Sequence, residues 1–185
     1  MLRAAASIQV IVTWIPPHVL GPSLAEVSLI RVRVRNGSRG AIQIRYADFQ
    51  LLDEAGHTYA ALPVRPSHVA PAAQEIVAPR FGHVGFYVAD YLATSYPELP
   101  VWRGPFQHDA RLEDSAFELW PAGLPDSEVR SWLLPAGVLE AMGDVRGVLC
   151  FSSLPPGTRE ARLHAALVPV QEGAPVAELQ VALMR

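Results

Sequence analysis

The run Ile30-Arg31-Val32-Arg33-Val34-Arg35 alternates strictly between branched apolar and charged residues. A β-strand sends successive side chains to opposite faces, so Ile30, Val32 and Val34 share a dry face and the three arginines a wet one. A helix would scatter both sets around its axis. Branching at Cβ further favours a pleated strand. The same alternation returns after Asn36-Gly37-Ser38-Arg39-Gly40, in Ile42-Gln43-Ile44-Arg45-Tyr46. Asn36-Gly37 predicts a turn taken up by residues that tolerate positive φ. Ala47-Asp48 predicts a bend, Phe49 and Leu51 the next inward pair, and Asp53-Glu54-Ala55-Gly56 a second hairpin before His57-Thr58-Tyr59. One wet face and one dry face mark an antiparallel sheet on a single core.

Clean strands are also predicted near Ser7–Trp14, Val145–Ser152 (after a Gly143-Asp144 turn), Ala161–Val168 and Val176–Leu183. Between them, from 62 to 134, alternation is scarce and proline dense. A strand within Phe81–Val88 and a helical turn over Val69–Val77 are predicted there. Asp126 reads as the N-cap of a short helix over Ser127–Leu133. About seven strands flank and enter this insert, the number of an immunoglobulin-like sandwich. The expected fold is therefore all-β: residues 1–185 form one immunoglobulin-like antiparallel β-sandwich, its long irregular insert (about 62–134) containing one or two short helices.

The segment RVRNGSRGAIQIRYADFQLLDEAGHTYAALP resembles the strand–turn–strand core of bacterial extracytoplasmic immunoglobulin-like domains. The distal LPAGVLEAMGDVRGVLCFSSLP is similar to a passage of uncharacterised bacterial envelope lipoproteins with that sandwich. The resemblance implies a fold and an envelope location, periplasmic or outer-membrane-associated if exported, and no activity. No lipobox cysteine stands near Met1, so a lipid anchor is not visible in this chain. The start MLRAAASIQVIVTWIPP reads as a first strand rather than a signal peptide.

Composition narrows function. A formal charge of −3 argues against a general nucleic-acid binder, which needs clustered positive charge. No apolar run is long enough for a membrane span. The single Cys150 allows no internal disulfide, and its place in an alternating strand suits a small core residue. The six histidines show no ligand spacing; His108-Asp109 with Glu113-Asp114 offers nitrogen and oxygen ligands within a few residues, a pattern commoner in a solvated loop than in a metal site. An enzyme would need His83 or His108 to meet carboxylates in a pocket. No catalytic residue, metal ligand or cofactor is predicted.

Two features remain. Arg31, Arg33, Arg35 and Arg45 should share a sheet face, able to meet an anionic partner or simply to be solvated. Tyr87, Tyr91, Tyr96, Trp102, Phe106 and Trp120 crowd the insert. They form either a cover over an open sheet or a binding surface, since loops on a rigid scaffold carry recognition. The sequence thus predicts a non-enzymatic envelope protein with a structural or protein-interaction role. Its alternative is a module gripping a glycan or peptide through those aromatics. Another envelope protein or a glycan is the expected partner.

Overall fold

In the computed structural model, Ile30, Val32 and Val34 are fully enclosed while Arg31 and Arg35 stay exposed, as their alternation requires. Burying each such side chain contributes roughly 1.5–3 kcal/mol. The structure describes residues 2–5, 8–16, 26–64, 82–120, 129–171 and 174–184. Ten strands are present among them: β1 (Leu2–Ala5), β2 (Ile8–Ile15), β3 (Val27–Asn36), β4 (Ile42–Ile44), β5 (Phe49–Asp53), β6 (Thr58–Leu62), β7 (Val84–Val88), β8 (Gly137–Ser152), β9 (Glu160–Leu167) and β10 (Ala177–Met184). One α-helix, α1 (Ala110–Glu118), joins them.

Strand β8 is the spine. Its C-terminal half pairs antiparallel with β3, from Arg35↔Asp144 to Val27↔Ser152, and its start pairs with β4 on the same edge. The opposite edge takes β7 and, further on, Ala61 and Leu62 of β6. Through β6 the ladder passes into a second layer, giving the order β1-β2-β3-β8-β6-β5-β9-β10. Strand β10 returns beside β1 and β2, so the antiparallel sheet nearly closes on itself. Val10, Val12, Val32, Val34, Val145 and Leu149 of one layer join Phe49, Leu51, Leu163, Ala165, Leu179 and Val181 of the other in one core.

Four expectations are corrected. Ten strands replace about seven. The Gly143-Asp144 turn does not exist: β8 runs unbroken for 16 residues. It carries a distortion instead, with Met142 at φ 62° facing a β7 irregularity at Gly85, φ 60°. A side chain on Gly143 would press within 2.6 Å of Leu139 and 3.0 Å of the Gly85 carbonyl oxygen, so the two strands cross here with no room for a Cβ. Asn36 and Gly37 do not take positive φ. Asn36 is instead a buried polar tie: its amide donates to the carbonyls of Gly40, Leu139 and Glu140, and its oxygen accepts from the Ser38 backbone N–H. Finally, the insert is no appendage, because β7 lies on the spine and Val101 bridges to Val88 in parallel.

Helix α1 occupies a passage expected to be irregular. Its N-terminus is capped by Asp109, whose carboxylate accepts from the Leu112 N–H. The helix expected over Ser127–Leu133 is seen as helical Val129 and Arg130. Its start, with Asp126, lies outside the described residues, as does Val69–Val77.

Candidate functional site

The six insert aromatics divide into three pairs. Tyr96 and Trp120 belong to the core, and the Tyr96 hydroxyl donates to the Arg130 carbonyl at 3.0 Å. Both rings are buried and so offer little of the surface expected of them for binding. Tyr91 and Phe106 are half-buried and pack against that core. These four rings thus pack in or against the core. Tyr87 and Trp102 remain. They lie off the core and meet each other edge to face, ring centres 6.0 Å apart.

Trp102 is pinned in place. Its backbone N–H donates to the Val88 carbonyl, and Val88 donates to Pro100, so residues 100–102 ride on the edge of β7. The indole N–H donates to the Pro105 carbonyl at 3.1 Å. Gly104 gives the ring its seat, since a Cβ there would sit 2.6 Å from the indole. The ring walls a cleft of about 480 Å³ completed by Gly40, Ala41, Gly104, Pro105, Pro169, Val170 and Gln171. The far wall is fastened too, by the Val170 N–H to the Ala41 carbonyl and a bridge between Ile42 and Pro169. Such a volume lies within the range of ligand sites. Among the described residues its lining has no ionisable side chain, and Gln171 supplies its polar side-chain amide.

The ionisable groups gather elsewhere. His108 Nδ1 lies 3.0 Å from a carboxylate oxygen of Glu113, and its ring stacks on Tyr91 at 4.4 Å. Glu113 is 3 % exposed, and desolvation raises its pKa against the lowering pull of His108 and Tyr91. Burial likewise lifts the Tyr91 phenol, with Glu113 adding to the shift. A small cleft of about 140 Å³ reaches Glu113 between α1 and the β5–β6 hairpin, beside Tyr46 and exposed Leu112 and Leu119. Of the group His108-Asp109 and Glu113-Asp114 noted in the sequence, the fold joins His108 to Glu113. Among the described lining residues, hydroxyls come from the buried Tyr46 and from Ser115, whose hydroxyl donates to the Leu112 carbonyl.

Among the described residues His83 forms no ion pair with a carboxylate. Its ring packs on Phe86 at 5.4 Å, and desolvation pushes its pKa down to about 4, against the pull of Asp144 and with a push from Arg146. Cys150 is a core residue, as its strand position suggested, and burial pushes its thiol up to about 12. No group of three His, Cys, Asp or Glu able to hold a metal occurs among the described residues. No helix among them is long and apolar enough to cross a membrane.

The arginine stripe is real but its membership changes. Arg45 leaves it to form a bidentate pair with buried Asp48, closing the 3₁₀ turn Tyr46–Asp48. Arg146 joins it, directly opposite Arg33 on β8. Asp144 sits among the guanidinium groups, 2.7 Å from Arg33, 3.3 Å from Arg35 and 3.0 Å from Arg146. No alternation rule applied to β3 alone could have found this carboxylate or Arg146.

No family model matches this chain, and no curated protein matches it. Among solved structures it superposes weakly on a candidate lipoprotein, ycdA, from Bacillus subtilis. That match has a TM-score of 0.44 and 14 % identity over 98 % of this chain. The chain spans 37 % of that protein's length. A functionally unknown protein from Listeria monocytogenes gives a TM-score of 0.40 and 8 % identity, over 100 % of this chain and 80 % of the other. Overlaps this weak do not define a shared fold.

Proposed function

We propose that the chain is a non-enzymatic interaction module of the bacterial envelope, an elaborated immunoglobulin-like sandwich that holds a partner's peptide segment in the Trp102 cleft. The envelope location rests on the resemblance of the two terminal strand blocks. The binding assignment rests on one observation: the cleft at Trp102 is preformed and aromatic-walled, and its described lining residues carry no ionisable group. Acid–base or nucleophilic catalysis needs such groups within reach of the substrate. Binding needs only shape, apolar area and a few polar anchors.

A peptide suits the lining better than a glycan. Pro105, Pro169, Val170 and the Trp102 ring offer apolar wall to proline or aliphatic side chains. A sugar would stack on the indole, yet among the described lining side chains its hydroxyls would find a polar partner mainly in Gln171. The glycan reading keeps the support of the Tyr87–Trp102 pair, which presents an aromatic edge at the surface. A peptide and oligosaccharide array probed with the full chain and with Trp102→Ala separates them. The peptide reading expects retention of proline- or aliphatic-bearing peptides that is lost in the variant. Retention of oligosaccharides alone would replace it with the glycan reading, and signals unaffected by the substitution would remove the cleft from consideration.

A further inference from the structure

Among the described residues, the outer face of β3 and β8 gathers more guanidinium groups than carboxylates. Three guanidinium groups, of Arg33, Arg35 and Arg146, share the one carboxylate of Asp144. The arginines keep 33 %, 54 % and 47 % of their side-chain surface exposed, while Asp144 keeps 13 %. The carboxylate is thus sunk among them, and the outward-facing charge is positive, in a chain whose net charge is −3. Positive charge concentrated on one face of an acidic protein creates a local field opposite in sign to the molecule's total.

Apolar side chains stand beside that charge. Val84 is the direct cross-strand partner of Asp144 and so lies on the same face, 65 % exposed. Met142, two residues before Asp144, is 79 % exposed at the bulge where β8 distorts. A soluble acidic partner would gain from the arginines and little from two isolated apolar tips. An anionic bilayer answers both: its phosphates meet the guanidinium forks, and its upper acyl region takes Met142 and Val84.

We propose that this face, independently of the Trp102 cleft, rests on a membrane leaflet rich in anionic phospholipid. Each basic residue near such a surface contributes roughly fivefold in partitioning, so the three arginines together contribute roughly a hundredfold.

The full chain is sedimented with vesicles of phosphatidylcholine alone or mixed with phosphatidylglycerol. It should pellet with the mixed vesicles, not with phosphatidylcholine, and be released by added salt. Arg33→Gln, Arg35→Gln and Arg146→Gln combined should reduce partitioning roughly a hundredfold. Asp144→Asn, which removes the central carboxylate, should raise it roughly fivefold with the mixed vesicles alone; a gain from misfolding would appear with phosphatidylcholine as well. Met142→Ser should weaken it, and Arg111→Gln on α1 should leave it unchanged. Equal pelleting with phosphatidylcholine, no pelleting, or full retention by the triple variant would overturn the proposal. So would capture of polyglutamate unaffected by Met142→Ser without vesicle binding, which assigns the face to an acidic polypeptide.

Discussion

Asn36 donates its side-chain amide to the Leu139 carbonyl at 3.1 Å, joining residues 103 positions apart in the chain. The bond lies where β3 gives way to the loop before β4 and where β8 begins its distortion. Buried carbonyls there would otherwise lack a partner, and an unmatched buried polar group is expensive. The loop Asn36 secures also carries Gly40 and Ala41, two walls of the Trp102 cleft.

Replacing Asn36 with Ala should therefore cost about 2–4 kcal/mol, several bonds being lost at one buried position. Asn36→Asp should cost at least as much, because a carboxylate would face the carbonyls of Leu139 and Glu140. Urea unfolding of the two variants measures both.

Met142 should respond in the opposite direction. It is the one described residue other than glycine with positive φ, a conformation that costs an ordinary side chain about 1 kcal/mol. Exposed as it is, Met142→Gly should stabilise the fold by about that amount in the same unfolding experiment.

Glu113 gives a pH-dependent prediction. Desolvation raises its folded pKa above its unfolded one, so the folded state holds the proton to higher pH. By linkage, its contribution is most favourable below the unfolded carboxyl pKa of about 4.3 and is lost as pH rises through the raised folded value. Glu113→Gln should remove this slope. Its melting temperature should gain on the unsubstituted protein progressively as pH climbs through that window; parallel curves would show that Glu113 is not held this way.

The aromatic division predicts a contrast in stability. Trp120→Ala should cost about 3–5 kcal/mol, since its ring is part of the core. Trp102→Ala should cost well under half of that, because its ring rests on Gly104, Tyr87 and the Pro105 carbonyl outside that core. Similar losses at both positions would mean that Trp102 too serves as cover.

These residues also show what a linear reading can see. Ile30, Val32 and Val34 announced their strand because the side-chain period of a sheet is written into neighbouring positions. Asn36 was legible as the end of that strand but not as a tie, since its partners Leu139 and Glu140 are remote. Helix α1 was hidden because it offers no continuous apolar stripe: Glu113 and Ala116 point inward while Leu112 and Leu119 face solvent. The N-cap at Asp109 was the available signal. The six aromatics stand out in the sequence as a group, yet their spacing is irregular. Which rings turn inward is decided by tertiary contacts, such as the Tyr96 hydroxyl reaching the Arg130 carbonyl.

The indole N–H of Trp102 reports directly on the cleft. In a nitrogen–proton correlation spectrum, a proline- or aliphatic-bearing peptide from the array should move the Trp102 indole signal saturably. The buried Trp120 signal should stay in place. A titration that leaves the Trp102 signal unmoved, or shifts both indoles alike, would contradict ligand binding at this cleft.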